Sequence, residues 1–376
     1  MKLFDVYPLY EVTPVKAKDV YVFDEKDTRY LDLYGGHAVI SIGHGNPNYI
    51  KSITDQLSKI GFYSNAIQNP LQKELAKELG NQSDCNDYQL FMCNSGAESN
   101  ENALKLASFY TKKSRIIAFN NSFHGRTSAA VAATDNPTIV SPLNAQQKVT
   151  FLPFNDIINL EIEIKKGDVC SLIFESIQGV GGLDEPNEDF ISEMSILCKK
   201  YNVCIIADEV QSGFGRSGTF FAFQKYQIKP DIITMAKGMG NGFPVGGILI
   251  HPKIKSKYGM LGTTYGGNHL ACVASLAVLN EIKSHDLQNN AKQIGTYFKS
   301  KAKTIKDIKK IKGRGLMLGI EFNFEVSELR KRLLYDHKIF TGGSSNKSLL
   351  RILPPLTIKK EHIDVFFNSL KIELKK

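Results

Sequence analysis

Two strings decide the fold: Val203-Cys204-Ile205-Ile206-Ala207-Asp208-Glu209-Val210-Gln211 and Asp231-Ile232-Ile233-Thr234-Met235-Ala236-Lys237-Gly238. Each opens as a strand-length apolar run without polar alternation, so it reads as a strand buried on both faces, the habit of parallel sheets. Each then hands over a charged residue, Asp208 in one and Lys237 in the other. Working outward, comparable runs lie at Tyr88 to Cys93, Arg115 to Phe119, Val149 to Leu152, Ser171 to Phe174 and Gly247 to Ile250. Amphipathic stretches at Ala97 to Tyr110, Glu188 to Tyr201 and His269 into Ile282 alternate with them. The pattern predicts an α/β fold whose large domain carries a mainly parallel seven-stranded sheet. After about residue 275 the character changes to a Lys-rich helix, a strand at Gly315 to Phe322, a helix at Ser327 to Asp336 and a short strand at Leu349 to Leu353. This predicts a small α+β domain over 276–376, a large domain over 51–275, and an N-terminal segment, 1–50, joining the small one.

Parallel sheets bind ligands beyond the carboxyl ends of their strands, so the residues that follow each run carry the chemistry. Asn94-Ser95-Gly96-Ala97-Glu98 has capping-box spacing at Ser95 and Glu98, with a glycine that lets a ligand approach the backbone. Free amides at such a helix start suit a phosphate, although the same residues also make a plain cap. Asp208 emerges from a buried strand and calls for a cationic partner, as a site acid or as a structural ion pair. Lys237, ending a buried strand beside Gly238-Met239-Gly240, can have its pKa lowered and act as a Schiff-base nucleophile, where the bland reading is a loop lysine. Phe123-His124-Gly125-Arg126 places an aromatic, an imidazole and a guanidinium in one turn. The ring could cover a planar group and the arginine could fork a carboxylate.

Composition narrows the classes further. The 376 residues are 42% hydrophobic and 23% charged, which excludes a disordered or fibrous chain. The net charge of +9 raises a polyanion partner. However, much of the excess, from Lys292 to Arg314, is spaced with Ile294, Phe298, Ile305 and Ile308 as the solvated face of a helix, so no nucleic-acid partner is expected. The six cysteines form no C-x-x-C pair, and Cys93, Cys170 and Cys204 sit in apolar runs as small hydrophobes. No metal-ligand spacing, signal-like segment or membrane-length apolar stretch is visible, and the expectation is an untargeted cytoplasmic protein. Gly213-Phe214-Gly215-Arg216-Ser217-Gly218 matches G-x-G-x-x-G, but Asp208 to Gln211 intervene after the strand and no acid follows at the right distance. It is set aside as a dinucleotide site.

Taken together, Ser95-Gly96-Ala97, Phe123-His124-Gly125-Arg126, Glu175-Ser176-Ile177-Gln178-Gly179, Asp208-Glu209-Val210-Gln211, Thr234-Met235-Ala236-Lys237-Gly238 and Thr264-Tyr265-Gly266-Gly267-Asn268 resemble, in order, the class III (ornithine-type) pyridoxal-phosphate aminotransferases. The resemblance spans Asp24 to Pro355 and is strongest to the N-acetylornithine and N-succinylornithine branch. It implies fold type I, pyridoxal 5'-phosphate as cofactor, a homodimer with active sites at the interface, and 2-oxoglutarate as amino acceptor. The same resemblance implies roles. Lys237 would carry the cofactor and shuttle a proton, and Asp208 would pair with the pyridinium nitrogen. Gln211 would touch the ring hydroxyl, Phe123 would stack on the ring, and Ser95, Gly96 and Ala97 would hold the phosphate. Thr264 would reach the phosphate from the partner subunit, and His124 and Glu175 would complete the cofactor-binding set. Arg126 and Arg351 would clamp the distal and the α-carboxylate of the keto acid, Arg126 also taking the donor's α-carboxylate.

Departures from the pattern matter. Where many members carry a second acid, the string here reads Gly179-Val180-Gly181, so Arg351 is expected to lack a neutralising carboxylate and to give a modest tilt toward a dianionic acylornithine. His269 replaces a usual proline, and His37 and Gln68 stand where free-ornithine enzymes carry tyrosines, which argues for an acylated donor. Rival readings are an ornithine or 4-aminobutyrate aminotransferase, an aminomutase, which would need no added keto acid, and a binding protein on a dead scaffold.

Overall fold

The computed structural model describes residues 1–376. Its central sheet has seven strands in the spatial order Gln89–Cys93, Gly246–Ile250, Ile232–Met235, Cys204–Asp208, Val169–Glu175, Arg115–Phe119 and Val149–Leu152. Gly246–Ile250 runs antiparallel to both its neighbours, and every other pairing is parallel. Successive side chains enter different cores, which is why the strands show no polar alternation. Ile117, Phe119, Leu172, Phe174, Ile205, Ala207, Ile233 and Met235 belong to the larger core. Ile116, Ala118, Ile173, Cys204, Ile206, Ile232 and Ile248 belong to the smaller one, together with Ala103, Leu104 and Ala107 of the helix Gly96–Thr111. On the larger-core side, the helix Glu188–Lys200 contributes Phe190, Ile191, Met194 and Cys198. All six cysteines are free and buried.

Two smaller sheets flank this layer. Pro14–Lys18, Tyr21–Asp24 and Arg29–Asp32 form an antiparallel meander, and Ile339–Phe340 joins its edge in parallel, with Ile339 opposite Leu31 and Phe340 opposite Asp32. Lys310–Arg314, Met317–Glu321 and Leu349–Ile352 form an antiparallel three-stranded sheet.

The structure corrects the reading of this late region in two places. The strand expected at Gly315 to Phe322 is present as Met317–Glu321, but it pairs with a strand the sequence reading took for helix, Lys310–Arg314, in a hairpin that turns between Arg314 and Met317. Gly313 and Gly315 have φ of 77° and 56°, a conformation that side chains with a Cβ resist. The Lys-rich helix, Leu287–Ala302, also stops well short of Ile305 and Ile308. Lys312 and Arg314 leave it for a strand, where they pair with Asp184 and Glu185 at 2.7 Å each. The cationic stripe is therefore split between a helix face and ion pairs. No helix is long and apolar enough to cross a membrane.

Candidate active site

The register of the central sheet sets Glu175 beside Asp208 and Asp208 beside Thr234, three neighbouring strand ends at one level. A cavity of about 370 Å³ opens there. Ser95, Gly96, Ala97, Phe123, His124, Arg126, Glu175, Val180, Asp208, Gln211 and Lys237 all line it. Thr264 is exposed and outside this cavity, and Gln68 lines a separate small one with His269.

One wall is the start of the Gly96–Thr111 helix. Ser95 Oγ accepts the Glu98 amide at 3.2 Å, while Glu98 reaches back to the Asn94 amide at 3.0 Å rather than to Ser95. The amides of Gly96 and Ala97 find no acceptor in the protein. Gly96 is required by proximity: a Cβ there would lie 2.6 Å from Cγ1 of Val210. Open amides, the positive end of a helix dipole and a serine hydroxyl make a cradle for a dianion.

Asp208 forms the floor. Its Oδ2 accepts from Asn100 Nδ2 at 2.8 Å and from His124 Nδ1 at 2.7 Å, and its Oδ1 accepts from the Val210 amide at 3.0 Å and from Thr234 Oγ1 at 3.4 Å. The side-chain partner of Asp208 is thus the imidazole of His124, which is buried, and whose Nε2 has no partner. His124 orients the carboxylate. Glu175 spends its oxygens on the Phe123 amide at 2.9 Å and the Gly179 amide at 2.8 Å. It thereby fixes the aromatic turn on one side and the Gly179-Val180 loop on the other. Burial, reinforced by the nearby Asp208, raises its pKa.

Lys237 begins a single turn, Lys237–Met239, with φ of 45°, an uncommon conformation for a residue with a side chain. Its amine makes no hydrogen bond or ion pair with the protein. Burial lowers its pKa against the opposing pull of Asp208 and Glu175. An amine so placed is more often a free base, and hence a nucleophile or proton acceptor, than a surface lysine is.

The two arginines differ. Arg126 is exposed at the cavity mouth with no ion pair, free to meet a ligand. Arg351 is buried and donates to the Gly343 carbonyl, to the Gly179 carbonyl at 2.7 Å and, at 3.5 Å, to Gln211 Oε1. No carboxylate pairs with it, and burial pushes its pKa down to about 10. Gln211 links it to the other wall through a 3.2 Å bond to the His37 carbonyl. Gly35, Gly36, His37 and Ala38 all have left-handed φ, strain that presents Tyr34 and His37 together, the Tyr34 hydroxyl lying 2.6 Å from the His37 ring nitrogens.

Sequence reasoning missed Asn100, whose signal was a buried-face asparagine one turn beyond Gly96, in line with Ala103, Leu104 and Ala107. It also left open the role of Glu209. That residue is buried and accepts from Ser176, Ser212 and the amides of Ala222 and Phe223, holding the loop after Asp208. Arg216 of the glycine-rich decoy is buried too, and donates to the carbonyls of Leu316, Pro354 and Ile40, so that loop is a structural clasp.

A strand-end lysine, an acid aimed by histidine and an anion cradle in one cavity suit a pyridine ring bearing a phosphate. The class III aminotransferase family model matches residues 6–374, and the chain belongs to that family of pyridoxal-phosphate-dependent enzymes. Among its relatives, the acetylornithine aminotransferase of Aquifex aeolicus is 38% identical, the match covering 98% of both chains. That of Bacillus subtilis is 37% identical over 98% of this chain and 96% of its own. The solved ornithine aminotransferase of Toxoplasma gondii shares the fold, with a TM-score of 0.90 at 24% identity, covering 98% of this chain and 93% of its own.

Proposed function

We propose that this protein transfers the δ-amino group of an N-acylornithine to 2-oxoglutarate, giving the acylglutamate semialdehyde and glutamate, a step of arginine biosynthesis. The observation that carries the reading is the unpartnered Lys237 amine in one cavity with Asp208 and the Ser95-Gly96-Ala97 cradle. The acylornithine donor follows from the relatives at 36–38% identity, which are named acetylornithine aminotransferases. When bound, pyridoxal phosphate supplies an aldehyde that condenses with amines and a ring that takes up the electrons left by a departing proton. The Gly96 and Ala97 amides and the Ser95 hydroxyl would hold its phosphate, Phe123 would cover the ring, Gln211 would meet its hydroxyl, and Asp208 would hold a proton at the ring nitrogen. Lys237, as a free base, would accept and carry the proton that leaves the donor carbon bearing the nitrogen. Arg126 orients the α-carboxylate of the donor and then the distal carboxylate of the keto acid, whose α-carboxylate meets Arg351. The protein acts as a cytoplasmic homodimer, and Thr264, exposed and away from its own cavity, serves the partner subunit's phosphate. The large domain, 51–275, carries the cofactor, and 276–376 with the first 50 residues supplies the Arg351 wall.

The test is a panel of N-acetylornithine, N-succinylornithine, ornithine and 4-aminobutyrate, each with and without 2-oxoglutarate. An acylornithine is expected to show the highest kcat/KM and an absolute need for the keto acid. A preference for a free diamine or for 4-aminobutyrate, or product formed without a keto acid, would overturn the reading.

A further inference from the structure

Beside Arg351 stands a second guanidinium that the reaction scheme above leaves unused. Arg330 lies on the helix Ser327–Tyr335, and the glycine pair Gly342-Gly343 brings it to the same wall. A Cβ on Gly343 would lie 2.6 Å from Arg330 Nη1, and the Gly343 carbonyl itself accepts from Arg351 Nε. A Cβ on Gly342 would lie 3.0 Å from the Tyr34 ring and 3.2 Å from Cβ of Arg351. The two glycines let the Tyr34 ring and both guanidiniums pack closely against this turn.

Both guanidiniums lack a counter-charge. Arg330 makes one hydrogen bond, to the Thr341 carbonyl at 3.2 Å, and its Nε is buried without a partner. Its other neighbour is the face of Tyr10, 6.0 Å from the ring centre. The acids around the cluster are committed elsewhere. Asp32 is bonded to His44 and to the amides of Tyr34 and Gly35, Glu175 to the amides of Phe123 and Gly179, and Glu328 to Lys331. His37 feels the same excess: partial burial and the charges of Arg351, Lys237 and Arg330 push its pKa down to about 4, so it adds no cation at neutral pH. Two uncompensated, partly desolvated cations repel each other, and an anion binding between them removes that penalty.

We propose that Arg330 is a second guanidinium of the keto-acid seat, acting beside Arg351 on the carboxylate that the amino acceptor brings in, and so sets the affinity for the acceptor rather than for the amine donor. The proposal rests on Arg351 as the keto-acid clamp. A permanent double charge fits an acceptor that is an anion at this end and a donor whose reacting end is a carboxylate-free amine.

Arg330→Gln keeps a donor for the Thr341 carbonyl and removes the charge, and Arg330→Lys keeps the charge. With the holoenzyme, R330Q should raise KM for 2-oxoglutarate at least tenfold with kcat changed less than threefold, and R330K should recover most of the loss. The rate of the donor half-reaction should stay within twofold of the parent. Binding of glutarate, an inert dicarboxylate, followed by thermal shift, needs no donor and should weaken in parallel, while acetamide shows no difference. Unchanged KM and unchanged glutarate binding in folded R330Q would overturn the proposal, as would an equal loss in R330K. Should R330Q prove too unstable to purify, Arg330→Met, which also removes the charge, decides through the salt dependence of glutarate binding. Loss of that dependence supports the shared seat, and its persistence with unchanged affinity refutes a role for the Arg330 fork. A parent enzyme that binds glutarate but ignores acylornithines would refute the proposed function while leaving this inference standing.

Discussion

Replacing Asp208 with Asn separates charge from shape. Four donors face the carboxylate: Asn100 and His124 at Oδ2, the Val210 amide and Thr234 at Oδ1. An asparagine must set its NH2 against one of these pairs. The Oδ1 side is the cheaper choice, because Thr234 can turn to accept and only the partly buried Val210 amide goes unpaired. The folding cost is then about 1 to 2 kcal/mol. The catalytic cost is larger. A unit charge about 4 Å from a protonated ring nitrogen, at an effective dielectric near 20, is worth about 4 kcal/mol, or about three decades of rate. D208N should therefore retain cofactor absorbance and a melting temperature close to the parent, with kcat lower by roughly a thousandfold. Single-turnover kinetics at 25 °C with an acylornithine donor would read it. Activity within tenfold of the parent, in a variant that still binds cofactor, would refute the electrostatic role and leave Asp208 as a cap for the Val210 turn.

Lys237→Ala should abolish turnover without unfolding the chain, and borohydride reduction with peptide mapping should label Lys237 in the parent; a label on another lysine would sink the assignment. Arg126→Lys should weaken complexes with amines that carry an α-carboxylate by about 1.5 to 3 kcal/mol and spare amines that lack one, because a point charge replaces a bidentate fork. An equal loss in both groups would make Arg126 a loop support. Glu373 joins the two C-terminal helices through Lys376 at 2.7 Å, His337 at 2.8 Å and Arg332 at 2.6 Å, and these partners, Lys376 first, hold its carboxyl down to about 2. A depressed acid stabilises the fold above its unfolded pKa and loses that contribution as pH falls toward the folded value. Glu373→Gln should thus cost about 2 to 3 kcal/mol at pH 7, and its melting temperature should converge on the parent's as pH drops from about 5 toward 2; a constant gap across that range would show that shape, not charge, is at work.

The strand ends were legible because local pattern and function coincide there. A buried strand can end in a charged residue only where that charge is used, so Asp208 and Lys237 stood out. The cradle was legible through the spacing of Ser95, Gly96 and Glu98. What escaped were partners brought together by the fold across long stretches of chain. Nothing around Arg330 marks it as a neighbour of Arg351, since the contact passes through Gly343 and Tyr34. Asn100 looked like one more polar position on a helix until its alignment with Ala103 and Leu104 was seen against the sheet. The first arm of the hairpin, Lys310–Arg314, escaped because alternating lysines read equally as a helix face, and only its pairing with Met317–Glu321 decides between the two.

The parallel pairing of Ile339–Phe340 with Arg29–Asp32 also sets a timetable. Leu31 leaves the ribosome about 308 residues ahead of its partner Ile339. At about 5 to 20 residues per second the meander waits roughly 15 to 60 seconds for its outer strand. Through that interval one rim of Arg29–Asp32 offers unpaired backbone groups, an open template for any other nascent chain nearby. The strand's shortness, its terminal Arg29 and the preceding Asp27 blunt that edge while it waits. Slower synthesis would lengthen the time that edge stands open, and faster synthesis would shorten it.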